Sequence, residues 1–557
     1  MERLPIKAHQ ACGPCKKHKR KCDKGLPACG LCARTERTCE YDGTPRPPPS
    51  AEEFAALQAR MTELEDRLSN TCGSSAFVAS PAPTSSSSTT WTDHMRSTTT
   101  RFPSALFLDA DCYEWAKMKI PRSAATIPMD VLTILNQGNG ILEISQFYFN
   151  TIHRWMPIIS KKRIDLGIPF RDGGPDLAIL FLAMKLVTTP PELTGSVYGT
   201  IREFFRALEA DNVVSLRCLQ AMILVALYEY SHSIYPAAWM TVGACSRYAD
   251  IIRLSPSGQC LSAIGSNTTW TELEERRRIW WAIFILDRVI SLGSRRRFSC
   301  PEPAEADVLP ANDVAWNSGD VSGVLHCAVS IPFSVPQSPF ARLCQSAICI
   351  GRAMECRRAS QQLRTEERTT MVTALTEDLC AFSVVLEENT PSFPDVEEYL
   401  SLLAPRCLVW SALFLLLDNY CCPEKLGNEP GYPLSGSAKM PEEQFLQVDA
   451  TLVVRSISDQ AHNAALKIME TLEGCLQAQD QLARVSPFAL DALYCAMATF
   501  HWVLREAGDE MIKVSLENIM QCLRRLGEGW PLALEYLALE KVYANATADE
   551  TSIDMSA

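Results

Sequence analysis

The sequence predicts a large all-α body preceded by a small cysteine-rich module, and three observations carry the prediction. Six of the 23 cysteines fall between residues 12 and 39 at regular intervals. From about 105 to 545, apolar residues recur at helical spacing between breaks marked by glycine and proline, with little strand alternation. Between these regions, residues 69–100 contain 17 Ser or Thr together with Pro81 and Pro83. Such text buries too little apolar surface to offset the entropy of ordering it, so 69–104 reads as a disordered linker.

The 557 residues exceed what one core usually holds, and a composition 47% hydrophobic and 21% charged suits globular protein, so two or more folded units are expected. Charge is divided unevenly. Residues 1–50 carry 11 Lys and Arg against 5 Asp and Glu, a net of +6; the whole chain is −12, so the remainder is −18. A basic arm on an acidic body points the arm at a polyanion. Met1–Gln10 holds Glu2, Arg3, Lys7 and His9 and no apolar secretory core. No run approaches the roughly 20 apolar residues of a membrane span. The 11 residues Cys407–Leu417, between Arg406 and Asp418, read as a buried helix. The expectation is an intracellular chain with no membrane partner. In such reducing surroundings clustered cysteines serve as metal ligands rather than disulfides.

Cys12, Cys15, Cys22, Cys29, Cys32 and Cys39 follow the spacing C-x2-C-x6-C, six residues, then C-x2-C-x6-C, which is one unit repeated at an offset of 17. A C-x2-C pair lets two thiolates reach one metal across a tight turn, as in zinc sites. Two separate tetrahedral zinc ions need about eight ligand places, and six thiolates are present, so two cysteines must bridge. The repeat makes the bridging pair equivalent in the two halves. The remaining 17 cysteines are scattered, which speaks against a metal-storage segment.

The segments Cys12-Gly-Pro-Cys15-Lys-Lys-His-Lys-Arg-Lys-Cys22-Asp, Leu26-Pro27-Ala28-Cys29-Gly-Leu-Cys32 and Cys39-Glu-Tyr41 resemble the fungal binuclear zinc-cluster domain, Zn(II)2Cys6, over residues 8–42. The resemblance implies two Zn2+ per chain, Cys12 and Cys29 as the bridging pair, and double-stranded DNA as the partner. It further implies that the first half-cluster offers the major groove a short helix carrying the run Lys16 to Lys21. His18 and Lys19 then face base edges, helped by backbone carbonyls at the helix end. Lysine-type donors suit guanine O6 and N7, in keeping with the CGG-like half-sites such proteins favour. Lys16, Lys21 and Lys24 would hold phosphates, giving affinity and register but no sequence information. The same run suits a nuclear import signal, so the nucleus is the expected location.

Residues 43–49, Gly-Thr-Pro-Arg-Pro-Pro-Pro, read as a stiff connector. Ser50 and Glu53 then form a capping box. Phe54, Leu57, Met61, Leu64 and Leu68 take the a and d positions of a short coiled-coil dimerisation helix over 50–68. With Phe54 at a, Arg60 at g and Glu65 at the following e pair across a parallel homodimer, so two modules would read two half-sites.

In the body, Leu216, Leu219, Gln220, Ile223, Leu224 and Leu227 share one helical face, and 272–290 begins charged and becomes apolar nearly all round. Helical text also fills 371–388, 403–418, 451–475, 486–506 and 508–525. Residues 148–159, Gln220 to Leu224, Trp239 to Arg247 and Arg276 to Asp287, with Leu309-Pro310 beyond, resemble the fungal transcription-factor regulatory domain, or middle homology region, across about 145–320. Read residue by residue, they are packing. Trp239, Trp280, Trp281 and Phe284 fill a core, and Arg247, Arg277 and Asp287 pair at helix ends, because an unpaired buried charge is costly. His153, alone among apolar residues, reads as a satisfied core side chain. Cys421 and Cys422 have no matching pair and make no second metal site. The last residues, 546–557, read as a mildly acidic flexible tail.

The motifs H-E-x-x-H, G-x-S-x-G, G-x-G-x-x-G and the phosphate-binding loop do not occur, and Gly195-Ser-Val-Tyr-Gly199 places its serine one position early for a nucleophile elbow, so no enzyme is expected. The resemblance implies a sequence-specific regulator of RNA polymerase II genes. It would be a pathway-specific activator for nutrient use or a secondary-metabolite cluster, homodimeric and working with the transcription machinery or coregulators. Two alternatives stand beside it: a zinc-dependent protein-interaction scaffold, against which the +6 arm weighs, and a repressor without its own activation function. The body could hold a small-molecule inducer or corepressor, and no residue pattern identifies one.

Overall fold

The computed structural model describes residues 11–40 except 36, and residues 102–541 except 119, 121–124, 139, 168–172, 262–268, 294–295, 322–325, 361, 390–395, 422–440, 474–481 and 509. The connector 43–49, the helix 50–68 with Phe54, Leu57, Met61, Leu64 and Leu68, nearly all of the linker 69–104 and the tail 546–557 lie outside the described residues. The chain divides into two compact units, Met1–Thr90 and Trp91–Ala557.

The first unit contains two five-residue helices, α1 (Gly13–Lys17) and α2 (Gly30–Arg34), each entered from an extended cysteine, Cys12 and Cys29. Pro14 opens α1, where its missing amide costs nothing. So short a helix has little intrinsic stability in water. What is buried here is sulfur: Cys12, Cys15, Cys29 and Cys32 form the core of the unit, with Cys22, Leu31 and Cys39 packed against it.

The second unit is helical. In order come α3 (Ala105–Leu108), α4 (Ala110–Trp115), α5 (Met129–Leu135), α6 (Ile141–Asn150), α7 (Lys161–Asp165), α8 (Pro175–Thr188), α9 (Gly195–Ala210), α10 (Leu216–Ser231) and α11 (Ala237–Ile251). Then follow α12 (Trp270–Leu292), α13 (Asp313–Ser318), α14 (Pro339–Ser360), α15 (Thr365–Glu388), α16 (Val396–Cys421), α17 (Pro441–Glu473), α18 (Leu490–Ala507) and α19 (Glu510–Leu526). Among the described residues no named strand forms, and β-pairing is limited to isolated bridges such as Val308 with Ala328. The long helices pack in chain order: α8 on α10, α10 on α11, α11 on α12, α12 on α14, α14 on α16, and α16 through α17 to α18 and α19. Their apolar faces merge into one continuous core running from Val131 to Leu537.

The central helix is α12, in which every side chain from Glu274 to Leu292 is buried. Its charged first turns stay inside because each charge is answered. Arg278 donates to Glu274 Oε1 (3.0 Å), Asp313 Oδ1 (2.7 Å) and the Ala311 carbonyl (2.6 Å), and its guanidinium lies 4.3 Å from the Trp316 ring. Glu275 accepts from the Ser160 amide, Arg163 and Gln220. Such pairing is the condition for burying charge.

Several sequence expectations need adjustment. Arg277 pairs with Glu274 one turn back, and Asp287 pairs with Arg288 and accepts the Ser299 and Cys300 amides, so neither meets a partner at a helix end. Arg247 is exposed, just before the last turn of α11. Trp281 and Phe284 are fully buried and Trp280 nearly so, whereas Trp239 is half-buried under Arg296. His153 is buried, with Nε2 3.1 Å from Asn317 Oδ1 and the Trp316 ring stacked alongside. Among the described residues three helical stretches, α15, α16 and Pro487–Arg505, are long and apolar enough to cross a bilayer, contrary to the expectation that no run approaches that length. In α16, the most apolar, 89% of the apolar stretch is buried within the fold, so its hydropathy is that of a core helix.

Candidate metal centre and nucleic-acid interface

The 17-residue repeat of the sequence is also a structural repeat. Cys12 and Cys29 cap the two short helices with nearly equal backbone angles, φ −62°, ψ 153° and φ −69°, ψ 149°. The Lys16 amide returns to the Cys12 carbonyl (3.0 Å) as that of Ala33 returns to Cys29 (2.9 Å). Each helix then closes with a six-to-one bond, Arg20 to the Cys15 carbonyl (2.9 Å) and Arg37 to that of Cys32 (3.1 Å).

These turns aim the thiols at one another. Cys12 Sγ lies 3.7 Å from Cys29 Sγ and 3.6 Å from that of Cys32, and Cys15 Sγ lies 3.7 and 3.9 Å from the same two. Thiolates on one tetrahedral zinc, with bonds of about 2.3 Å, stand about 3.8 Å apart, so the spacing fits the metal. Cys22 joins at Cys12, with sulfurs 3.9 Å apart, and Cys39 joins at Cys29, whose amide points to its sulfur at 3.2 Å. Cys12 and Cys29 thus touch both the central group and an outer thiol. The Cys32 amide also holds the Cys29 thiol down, to about 6, while burial pushes Cys32 up to about 12. A crowd of thiols in which some resist ionisation becomes a set of thiolates when a dication compensates them.

The basic run is exposed throughout, from Lys16 to Lys21, and so is Lys24. It does not all lie on the helix. α1 ends at Lys17, His18 is its C-cap, and Lys19 takes the left-handed conformation with φ 49°. The Lys19 amide bonds to the Lys16 carbonyl (3.2 Å) and that of Arg20 to Cys15, the pattern of a Schellman turn. Only Lys16 and Lys17 therefore ride on α1. His18 and Lys19 stand at its reversing end and Lys21 beyond it, while Lys24 occupies a second left-handed position at φ 62°. The reason is geometric: a helix that carries Cys12 and Cys15 into the group of thiols must turn back within two turns for Cys22 to reach that group.

The two half-clusters share a scaffold but not a surface. Positions 16–21 carry Lys16, Lys17, Lys19, Arg20 and Lys21; the equivalent positions 33–38 carry Arg34 and Arg37, with Glu36 between them. Asp23, which the resemblance includes without a role, has one in the structure. Both its oxygens lie 3.0 Å from the Gly30 amide, which together with the Gly25 amide holds the carboxyl below its usual range. The signal was present, because Cys22-Asp23 is echoed by Cys39-Glu40 at the same offset of 17.

Comparison with known proteins places this geometry. Residues 10–48 match the fungal Zn(2)-Cys(6) binuclear cluster domain, and residues 146–376 match the fungal specific transcription factor domain. Transcription factor BOA15 of Botryotinia fuckeliana is 34% identical over 181 residues, which is 31% of this chain and 98% of that protein. The citrinin biosynthesis transcriptional activator mrl3 of Monascus ruber is 25% identical over 390 residues, 62% of this chain and 72% of that one. The azaphilone cluster-specific transcription factor azaR of Aspergillus niger is 25% identical over 238 residues, 40% of this chain and 51% of that one. The chain belongs to the fungal Zn2Cys6 transcription factors, zinc-holding DNA-binding regulators rather than enzymes.

Proposed function

We propose that the chain is a nuclear, pathway-specific activator of RNA polymerase II genes that binds paired CGG-like half-sites as a homodimer. The observation that carries this reading is the unequal loading of two equivalent half-clusters. The scaffold at 12–22 and its repeat at 29–39 are alike in caps and turns, yet five cations crowd the first and two, offset by Glu36, lie on the second. A purely structural zinc knot would have no reason to load one face.

In this reading Cys12, Cys15, Cys22, Cys29, Cys32 and Cys39 hold two Zn2+ per chain, with Cys12 and Cys29 bridging. Zinc supplies the positive charge that keeps six thiolates together at neutral pH. Lys16, Lys21 and Lys24 hold phosphates, and His18 and Lys19, at the reversing end of α1, meet base edges. The stripe Phe54, Leu57, Met61, Leu64 and Leu68 joins two chains. The chain then divides into 8–42 for DNA, 43–49 as connector, 50–68 for dimerisation, 69–104 as linker, 105–545 as regulatory body and 546–557 as tail. Two relatives named for biosynthesis of citrinin and for an azaphilone cluster favour a secondary-metabolite pathway. Coregulators or the transcription machinery are the partners such an activator needs.

The test is selection of sites from a randomised duplex library by the full chain, at two salt concentrations, with and without a zinc chelator. Enrichment of paired CGG-like sites, lost on chelation, is expected. Zinc retained without any enriched sequence would leave the protein-interaction scaffold as the better reading.

A further inference from the structure

We propose that Asp23 is a positioning latch: its side chain fastens the second half-cluster to the first and so holds Cys22 where the metal needs it. The proposal rests on the reading of the six cysteines as zinc ligands and adds a residue to it.

The bond in question crosses between the halves. Asp23 follows Cys22, the last cysteine of the first half, and its Oδ1 and Oδ2 each lie 3.0 Å from the amide of Gly30, the first residue of α2. That amide is one of the donors a helix start leaves without an internal partner. The repeat carries a matching brace in the other direction. Glu40 follows Cys39, the last cysteine of the second half, and its carbonyl accepts from the amide of Gly13 (2.8 Å), the first residue of α1. Gly13 and Gly30, like Asp23 and Glu40, are 17 apart. Each short helix is therefore tied down at its first amide by the residue after the other half's last cysteine.

The two braces differ in what they demand of the sequence. The Glu40 brace uses backbone, which any residue provides. The Asp23 brace needs that side chain and needs Gly30 to have none. A Cβ on Gly30 would stand 2.7 Å from Asp23 Oδ2, whereas a Cβ on Gly13 would meet the Glu40 carbonyl at an ordinary 3.6 Å. Close approach thus explains Gly30 but not Gly13. Groups that orient a ligand from outside the coordination sphere commonly change metal affinity by about 10- to 100-fold when removed, so the effect is measurable. Asp23 also lies near enough to Cys22 and Cys29 to be a ligand itself, all three ligand atoms falling within 4.8 Å of one another. The latch reading differs in assigning its oxygens to the Gly30 amide, and the experiment separates the two roles.

The full chain is prepared unmodified and as Asp23→Ala, Asp23→Asn, Gly30→Ala, Gly13→Ala and the double variant Asp23→Ala/Gly30→Ala. Each is loaded with Co2+ for its thiolate spectrum and with Zn2+ for transfer to a chromophoric chelator. The cobalt bands keep the shape of the unmodified chain in all variants, since the ligands are untouched. Zinc transfer becomes roughly 10-fold faster in Asp23→Ala and in Gly30→Ala, and the double variant is no faster than either. Asp23→Asn, which keeps an acceptor oxygen, and Gly13→Ala stay near the unmodified rate. An unmodified rate in Asp23→Ala, equal rates in Asp23→Ala and Asp23→Asn, additive single effects, or an altered cobalt spectrum in Asp23→Ala would each overturn the latch. Absence of cobalt–thiolate bands in the unmodified chain would remove the zinc reading, and the latch with it.

Discussion

At Lys19 backbone shape and charge make separate demands. The left-handed φ of 49° is one that a residue with a Cβ adopts at a cost of roughly 1 kcal/mol, and it is what turns the chain back toward Cys22. Lys19→Gly should therefore hold zinc against a chelator at least as well as the unmodified chain. It should also bind the selected DNA site about 10-fold or more weakly, as loss of a base contact does. A variant that lost zinc and DNA together would mean that the lysine serves the fold. His153 offers a second residue-scale prediction. Burial lowers its imidazole to about 3, against an ordinary 6.5. The unfolded chain takes up a proton below 6.5 that the native chain refuses until about 3, so stability is full at pH 7 and falls as acid is added through that window. At pH 5 this one group should lower unfolding free energy by about 2 kcal/mol, read from urea midpoints at the two pH values. His153→Gln, which keeps a donor for Asn317, should flatten that difference. The grouping of the six cysteines proposed to hold zinc was legible at this scale, since spacing alone sets Cys12, Cys15, Cys22, Cys29, Cys32 and Cys39 apart and the structure packs them together. The partners of the buried charges were not, because Arg278 with Asp313 and Arg288 with Glu302 are contacts between distant or loop residues that periodicity does not encode.

Helix α12 shows the same division at the element scale. Its existence was plain from 272–290, and text that begins charged and becomes apolar nearly all round read as a buried helix. Glu274, Arg277 and Arg278 are indeed buried, and what the text did not show is what seals them: Asp313, Ala311 and the Trp316 ring. Glu274→Ala removes the carboxylate that two buried guanidinium groups share, leaving Arg278 with Asp313 and the Ala311 carbonyl and Arg277 with the Ser257 carbonyl. It should lower the stability of the body by about 3 kcal/mol in chemical unfolding. Adding Arg278→Met should recover part of that loss, since it removes one of the two under-compensated charges. A loss under about 1 kcal/mol in the single variant would mean that water reaches the network. Two helix boundaries were hidden for local reasons. α16 begins at Val396, not near 403, because Pro405 sits inside it and a proline in a sequence invites a break. α17 begins at Pro441, ten residues ahead of the expected start, because Glu442 to Asp449 lacks the apolar density that marks a core-facing turn. α10 departs differently: its stripe from Leu216 to Leu227 suggested one buried face, yet every residue from Cys218 to Ser231 is buried, since α8 and α11 cover it from two sides.

For the molecule as a whole, the division into a basic arm of +6 and an acidic remainder of −18 follows from the sequence, and it decides how DNA binding must respond to salt. The acidic body repels the same phosphates that the arm attracts, so affinity depends on the few cations that make contact. If Lys16, Lys21 and Lys24 each neutralise one phosphate, a single module displaces about three counterions, and a dimer on paired half-sites displaces about six. Log affinity should then fall against log salt with a slope of about −5 for paired sites and about −3 for a single half-site. Lys16→Ala, made in every chain of the proposed dimer, should flatten the paired-site slope by about 2 while leaving the preferred sequence unchanged, because a phosphate contact carries register and no base identity. Leu57→Arg with Leu64→Arg, which places charge on the proposed dimer stripe, should bring the paired-site slope to the single-site value and remove the preference for any fixed spacing. A slope that stays near −5 in that variant would mean that the two modules are held together by the helical body instead.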